Sequence, residues 1–226
     1  PSSAASDVYK RQVGFRELVC SSGSSAGRAA RLQHTARDQM EAPVADGVVD
    51  VEYDEGDEEV LEAAEATRFR AVTARGNYLA LDRPDIQYAS KEACRSMANP
   101  CVRDWRCVTA IARYLRGRPR LTWWFKNQPE PERLVVMTDS DWGGQVTGWS
   151  TSGGVIMHGS HVIKTWSATQ KHVTLSSGEA ELMAMTKGAT EAIGLSQIFE
   201  EWGRAKSIEI RTDASAAVGM VHRVGN

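Results

Sequence analysis

From residue 133 onward, the order of hydrophobic patterns strongly limits the fold of the chain. Segments rich in β-forming residues alternate with amphipathic helices, and we place strands at 134–138, 153–157, 162–167 and 207–212, and helices at 178–202 and 214–222. The long helix is expected to bury Leu182, Met185, Ala189, Ile193 and Phe199. The order β-β-β-α-β-α predicts an α/β domain whose first and fourth strands lie side by side in parallel.

Residues 67–127 carry a helical pattern instead. Apolar residues at helical spacing predict helices near residues 69–81, 86–97 and 102–115. A short aromatic run at 121–126 predicts a strand. This part of the chain is therefore expected to be a small helical unit that precedes the α/β domain.

The net charge of -2 conceals a segregation of charge along the chain. Residues 41–65 contain 11 acidic side chains and no basic one, whereas from Ala66 onward 21 Lys and Arg face 15 Asp and Glu. Like charges at that density resist compaction, so residues 41–66 are predicted to be a solvated linker, helical toward its end. The basic excess that follows permits contact with a polyanion.

These patterns divide the chain into four parts. Residues 1–40 are expected to be a disordered or non-native leader, and their first twelve residues resemble translated cloning adapter. The acidic linker at 41–66, the helical region at 67–127 and the α/β domain at 133–226 follow. No apolar run approaches the roughly 20 residues of a membrane span, and no secretory signal occurs, so we expect an intracellular location without membrane contact.

Three acidic residues stand where functional sites gather in α/β domains. Asp139 follows the first strand, Glu181 lies in the first turns of the long helix, and Asp213 closes the fourth strand. Acids at two adjacent strand ends and on the packed helix would converge. Carboxylates that close together repel and raise one another's pKa unless a cation neutralises them. All-oxygen ligands suit Mg²⁺ or Mn²⁺ rather than zinc.

These acids and their neighbours also have structural interpretations. Asp141 lies on the same strand face as the acid two residues before it, yet its position favours a surface or turn residue. Glu179 stands three residues after Ser176, the spacing of a helix capping box, which leaves Glu181 as the better candidate ligand. Asp213 would alternatively cap the last helix. Spacing alone leaves a nuclease site and these structural roles open.

Other candidate sites are weaker. His158 and His161 flank the predicted hairpin turn at Gly159, which favours a plain turn over a metal site. No GxSxG elbow, phosphate-binding loop or dinucleotide motif occurs. Four scattered cysteines without a CxxC pair favour reduced thiols over a zinc site or a disulfide framework; they are Cys20, Cys94, Cys101 and Cys107.

The densest basic patch precedes the aromatic run. It comprises Arg103, Arg106, Arg113, Arg116, Arg118 and Arg120, followed by Trp123 and Trp124. Such a patch is either a solvated helix face or a track for a nucleic-acid backbone, and the sequence does not separate the two.

Several short motifs occur in a fixed order between about Thr67 and Val221. They are Thr138-Asp139-Ser140-Asp141-Trp142-Gly143-Gly144, Ser150-Thr151-Ser152-Gly153-Gly154, Trp166-Ser167, Gln170-Lys171, Leu175-Ser176-Ser177-Gly178-Glu179-Ala180-Glu181-Leu182-Met183-Ala184 and Thr212-Asp213. This series resembles the ribonuclease H of copia-type retrotransposon Pol polyproteins. Upstream, Arg83-Pro84-Asp85-Ile86 and Arg113-Tyr114-Leu115-Arg116-Gly117 resemble the region that links polymerase to nuclease in the same polyproteins.

The resemblance implies a fold and an activity. The fold would be a ribonuclease H-like mixed sheet, preceded by the helical C-terminal region of a reverse transcriptase. Asp139, Glu181 and Asp213 match three of the family's four metal-binding catalytic acids, and the fourth falls beyond Asn226 in the family pattern. Two Mg²⁺ (or Mn²⁺) ions would be the cofactors of endonucleolytic hydrolysis of RNA in RNA/DNA hybrids during reverse transcription.

The resemblance also implies partners. An RNA/DNA hybrid would be recognised by its shape and 2′-hydroxyls, and the candidate contacts are Ser177, Gly178, Arg113, Arg116, Arg118 and Arg120. The remainder of the Pol polyprotein would be a second partner, in cytoplasmic virus-like particles and in the nucleus. The oligomeric state stays open.

The order of the three acids separates related enzymes. Integrases and transposases share this fold, but their catalytic glutamate comes last, whereas Glu181 falls between the two aspartates here. That order favours a ribonuclease H. The alternative is an inactive nucleic-acid-binding or structural remnant of a retroelement polyprotein.

Overall fold

The computed structural model describes residues 58–143 and 148–223. The predicted leader at 1–40 and most of the predicted acidic linker lie outside the described residues, as does the last part of the predicted α/β domain after residue 223. Within the described ranges no helix has the length and apolar character that a membrane crossing requires.

Five helices and four strands make up the described residues. The helices are α1 (Ala63–Leu79), α2 (Gln87–Arg95), α3 (Val102–Gly117), α4 (Ser177–Glu201) and α5 (Ser215–His222), with a 3-10 turn at Pro84–Ile86. The strands are β1 (Arg133–Asp141), β2 (Thr151–His158), β3 (His161–Thr169) and β4 (Ser207–Arg211). The predicted β-β-β-α-β-α order is confirmed, and the predicted hairpin turn at Gly159 joins β2 to β3 with a positive φ of 62°.

The strands form one mixed sheet in the order β3-β2-β1-β4. β1 pairs antiparallel with β2, and β2 with β3, whereas β1 and β4 are parallel, as predicted. The parallel pair needs a crossover, and α4 supplies it by packing across the sheet. The core under α4 contains Leu134, Val136, Ile156 and Trp166.

The buried side of α4 differs from the predicted stripe. Its buried positions are Gly178, Ala180, Ala184, Gly188 and Ala192, whereas Leu182, Met185 and Ala189 are only half-buried and Ile193 is 51% exposed. Of the predicted stripe, Phe199 packs against the core. A Cβ on Gly188 would lie 2.6 Å from Thr138 Cγ2, so small residues let the helix approach the sheet closely.

Helices α1 to α3 enclose a second core. Phe69, Ile86, Ala89, Val108 and Ile111 are buried there, and Trp105 packs against them. α1 begins at Ala63 rather than after Thr67, so the end of the acidic segment is helical, as predicted. Leu81 was expected within this helix, but it lies beyond its end and is 72% exposed.

The predicted strand at 121–126 is wrong. The segment after α3 has no regular secondary structure up to β1. It runs along the outside of the hairpin, where Phe125 meets the ring of His161 edge-on at 5.2 Å. Trp124 is 80% exposed. The aromatic residues contact the surface through side chains, and the segment forms no ladder with a neighbouring strand.

Candidate metal centre

Asp139 and Asp213 lie at the same edge of the sheet because β1 and β4 are parallel. The register pairs Met137 with Arg211. Each aspartate is two residues beyond its member of that pair, Asp139 near the end of β1 and Asp213 just past β4. The parallel register therefore places both carboxylates at the carboxyl end of the sheet, where ligand sites form.

Glu181 reaches the same edge from the first turns of α4. The helix starts at a cap in which Ser176 Oγ accepts a hydrogen bond from the Glu179 amide at 3.2 Å. Glu179 Oε2 in turn accepts from the Leu175 amide at 2.7 Å. Ser176 therefore caps the helix at the predicted spacing, whereas the Glu179 carboxylate binds the amide of the residue before the cap rather than the amide of Ser176 itself. Glu181, two residues later, is directed to the sheet.

The three predicted acids come together. Asp139, Glu181 and Asp213 each offer a carboxylate oxygen, and these oxygens lie within 4.8 Å of one another. Asp139 and Glu181 are half-buried, and Asp213 is exposed. Asp141 is not a member of this group. Three carboxylates at this spacing, with one side open to solvent, form an all-oxygen set suited to a hard divalent cation.

Ser140 connects two of the acids. Its backbone amide donates to Asp139 Oδ1 at 2.9 Å and to Glu181 Oε1 at 3.0 Å, and its hydroxyl donates to Glu181 Oε1 at 2.9 Å. Glu181 Oε2 is buried and has no hydrogen-bond partner among the described residues. A buried carboxylate oxygen without a donor is costly, so this atom is available to a proton or a cation.

Both half-buried acids hold protons more tightly than usual. Burial, followed by the charges of Glu181 and Asp213, raises the pKa of Asp139 to about 7. Burial also raises the pKa of Glu181, against the hydrogen bonds from Ser140, which lower it. The site therefore carries mutually repelling negative charge near neutral pH, which a cation would relieve.

The structural alternative for Asp213 is wrong. The residue at the start of α5 is Ala214, and no side chain caps it. The Ala214 amide instead donates to Thr212 Oγ1 at 3.2 Å. The Thr212 hydroxyl therefore accepts the hydrogen bond at the start of this helix, and the Asp213 carboxylate does not cap it.

A polar network beside the start of α4 has no counterpart among the sequence predictions. Trp142 Nε1 donates to the Thr174 carbonyl at 3.0 Å, and Ser150 Oγ lies 3.0 Å from Thr174 Oγ1. The buried Gln170 donates through Nε2 to Ser152 Oγ at 3.0 Å and to the Ala180 carbonyl at 2.8 Å. The network ties the start of α4 to β1 and β2. Its members lie in the quoted motifs or beside them, but spacing alone gives them no role.

The remaining predicted residues do not contribute to the group of three acids. The hairpin interpretation of His158 and His161 is confirmed, since they end β2 and begin β3. Ser177 is exposed beside the acids, whereas Gly178 is buried, with Met220 Cε and Ala216 Cβ 3.2 and 3.3 Å from its ideal Cβ. The structure thus gives Gly178 a packing contact with α5 rather than an open surface. No disulfide joins Cys94, Cys101 and Cys107, the cysteines of the described residues.

Four of the six arginines of the predicted basic patch are exposed. These are Arg113, Arg116, Arg118 and Arg120, which lie at the end of α3 and just after it. Arg103 and Arg106, nearer the start of α3, are half-buried. The exposed part is thus the C-terminal end of α3 and the segment that leads toward β1.

A four-stranded mixed sheet of this order, with a crossover helix and acids at its carboxyl edge, is the architecture of ribonuclease H-like α/β proteins. Several transposon polyproteins are similar to this chain in sequence. The chain is 30% identical over 138 residues to "Retrovirus-related Pol polyprotein from transposon RE2" of Arabidopsis thaliana. It is 33% identical over 140 residues to the corresponding polyprotein of transposon TNT 1-94 of Nicotiana tabacum. The chain is therefore similar in sequence to a segment of retrotransposon Pol polyproteins.

The matched polyproteins are much longer than this chain. Each match covers 61% of this chain but only 9% and 10% of the two polyproteins. An uncharacterized mitochondrial protein of Arabidopsis thaliana is 33% identical over 125 residues, 54% of this chain and 51% of that protein. No family model matches the chain, and no solved structure matches it significantly. The chain thus corresponds to a small segment of much longer polyproteins.

Proposed function

We propose that this chain carries a retrotransposon ribonuclease H, which hydrolyses the RNA strand of RNA/DNA hybrids with divalent metal ions, Mg²⁺ or Mn²⁺, during reverse transcription. The observation that most directly supports this proposal is the group formed by Asp139, Glu181 and Asp213, whose carboxylate oxygens lie within 4.8 Å of one another. The likeness to transposon Pol polyproteins supports the same function, because reverse transcription produces such hybrids.

The residues at the site fit a divalent cation. Every candidate ligand is a carboxylate oxygen, which hard cations prefer over nitrogen and sulfur ligands. Glu181 Oε2 is buried with no donor among the described residues, and the pKa of Asp139 is raised by burial and by its acidic neighbours. A cation would satisfy the oxygen and relieve the repulsion together.

The chain's own residues prepare the site. Bound divalent ions would supply the positive charge that activates a water and stabilises the leaving oxygen in phosphodiester hydrolysis. Ser140 holds Glu181 Oε1 with two hydrogen bonds, which fixes the orientation of that carboxylate. Asp213 is exposed and leaves the site open on the side from which a large polyanion would approach.

The basic surface at the end of α3 would bind the nucleic acid. Arg113, Arg116, Arg118 and Arg120 are exposed, and such clusters follow phosphate backbones without reading sequence. Ser177, exposed beside the acids, would contact the hybrid groove. The helical region would then be the C-terminal region of the polymerase, and the rest of the polyprotein its partner.

The test is cleavage of a labelled RNA/DNA hybrid by the full chain in Mg²⁺. Glu181→Gln should lower the rate at least ~100-fold, the scale seen when a group that stabilises transition-state charge is lost. Glu201→Gln is the matched control, since it removes the same charge from an exposed position at the far end of α4. It should cleave at the wild-type rate.

The alternatives give different results. If wild type and Glu181→Gln were equally inert on the hybrid, the chain would be a binding or structural remnant. If wild type instead cut the ends of duplex DNA and spared the hybrid, it would be an integrase-like enzyme. Equal cleavage by wild type and Glu181→Gln would mean that another site, or a contaminant, performs the reaction.

A further inference from the structure

Helix α2 contacts the sheet at β2 and β3. Gln87 Nε2 donates to the Thr165 carbonyl of β3 at 3.4 Å. One turn further along the helix, Lys91 Nζ donates to Thr151 Oγ1 at 2.8 Å. The Lys91 side chain is only 12% exposed and forms an ion pair with Glu92. The helical region therefore contacts the sheet through a largely buried cation.

The residue that Lys91 contacts is joined to the strand that carries Asp139. Thr151 is the first residue of β2, is 4% exposed, and pairs with Asp141, the last residue of β1. Asp139 lies two residues before Asp141 on the same strand, hence on the same face. A contact at Thr151 thus acts on the end of β1.

Packing alone does not account for a cation at this position. Burial lowers the pKa of Lys91, while the nearby carboxylates of Glu92 and Asp141 act in the opposite direction. An aliphatic side chain of similar length would fill the space without the cost of removing an ammonium group from water. The ammonium must therefore contribute through its directed bond to Thr151 or through its charge.

We propose that Lys91 is a positioning residue for the acidic site: its bond to Thr151 holds the end of β1, so that Asp139 stays beside Glu181 and Asp213. This inference rests on the proposed function for its link to metal binding. It makes the helical region part of the support of the nuclease site, in addition to any contact with nucleic acid.

The experiment compares wild type with Lys91→Met, which keeps the aliphatic stem, and with Lys91→Arg, which keeps the charge and donors. Hydrogen exchange of the backbone amides of residues 139–141 is the first measurement. Lys91→Met should exchange at least ~5-fold faster there, because local opening becomes easier, whereas Lys91→Arg should stay close to wild type. Arg95→Met is the matched control, because it removes another cation beside Glu92 on the same helix.

Binding of Mn²⁺, followed by its electron paramagnetic resonance signal, is the second measurement. A misaligned Asp139 should weaken Mn²⁺ binding by ~10-fold, the loss typical of removing a residue that orients a ligand. Charge alone predicts the opposite sign, because loss of a nearby cation makes an acidic site more attractive to a dication. Thr151→Val, which removes the acceptor with little change of shape, should reproduce Lys91→Met even if that variant folds poorly.

Each outcome decides the proposal. Unchanged exchange at residues 139–141 in both Lys91→Met and Thr151→Val would overturn it, and so would tighter or unchanged Mn²⁺ binding. A wild-type chain that binds no Mn²⁺ would contradict the proposed function. The exchange measurement alone would then decide whether Lys91 holds β1.

Discussion

Two clusters of ionisable side chains, one in each half of the molecule, are built on opposite principles. In the helical region, Arg83 Nη2 lies 2.7 Å from Asp85 Oδ2, and the Tyr114 hydroxyl donates to the same oxygen at 2.9 Å. Every contact there joins a donor to an acceptor. At the sheet edge, Asp139, Glu181 and Asp213 bring three acceptors together. The first cluster is internally compensated and the second is not.

The titration of the two clusters reflects that difference. The hydrogen bond to Asp85 raises the pKa of Arg83, which keeps it charged, and burial with the Asp85 charge raises the pKa of Tyr114 to about 12. Both shifts favour the protonation states that bond to one another. At the sheet edge, burial and repulsion raise the pKa of Asp139 to about 7, toward loss of its charge. Compensated charges are typical of a structural cluster, whereas uncompensated carboxylates are typical of a binding site.

The largest loss of stability is expected when the compensated cluster loses its carboxylate. Asp85→Ala removes the acceptor of Arg83 and of Tyr114 and leaves a largely buried guanidinium without its carboxylate. The free energy of unfolding should fall by about 3 kcal/mol, the cost of removing one partner from a buried pair. Urea unfolding measures it. Asp82→Ala, an exposed acid on the same loop, should change stability by less than about 0.5 kcal/mol. Equal losses of stability in Asp85→Ala and Asp82→Ala would contradict a structural role for the cluster.

A smaller change in the free energy of unfolding, of opposite sign, is expected when one of the three acids at the sheet edge is neutralised and no metal is bound. The folded-state pKa of Asp139 is raised, so the folded chain holds its proton and wild type loses stability as pH rises from 3.8 to about 7. Asn does not titrate. That shift corresponds to about 4 kcal/mol for a fully buried group, and solvent screening of the half-buried carboxylate reduces it. In EDTA, Asp139→Asn should therefore gain about 2 kcal/mol relative to wild type between pH 4 and pH 8.

Urea unfolding at several pH values measures this gain, and the exposed Glu201→Gln serves as control. The control should follow the wild-type curve throughout. If Asp139→Asn also ran parallel to wild type, the carboxylates would not repel one another, and the contrast between the two clusters would fail.

The position of the acids follows from the sequence because element boundaries place them. The capping spacing of Ser176 and Glu179 marks the start of α4, which puts Glu181 in its first turns. The ends of two β-rich segments put Asp139 and Asp213 at strand ends, and the parallel pairing follows from the intervening helix. Local signals of this kind depend on few residues, so a single sequence carries them.

Other features depend on contacts that local patterns do not encode. The buried side of α4 consists of alanines and glycines, and Gly188 is there because Thr138 leaves no space for a Cβ. A buried stripe predicted from the largest apolar side chains therefore falls on a different side of this helix. The aromatic run at 121–126 has β propensity, but it passes the edge strand β3 with side-chain contacts and forms no backbone ladder with it, so tertiary context overrides the propensity. The bond from Lys91 to Thr151 joins residues far apart in sequence, which spacing cannot reveal.

The most direct test of the central claim is the effect of Mg²⁺ on thermal unfolding of wild type and Asp139→Asn at pH 8, where the site is most negative. At ten times its dissociation constant, Mg²⁺ should stabilise wild type by about 1.4 kcal/mol, a rise of a few degrees in Tm. Asp139→Asn should show little or none of this rise. An equal rise in both proteins, or none in wild type, would contradict a divalent-cation site formed by Asp139, Glu181 and Asp213.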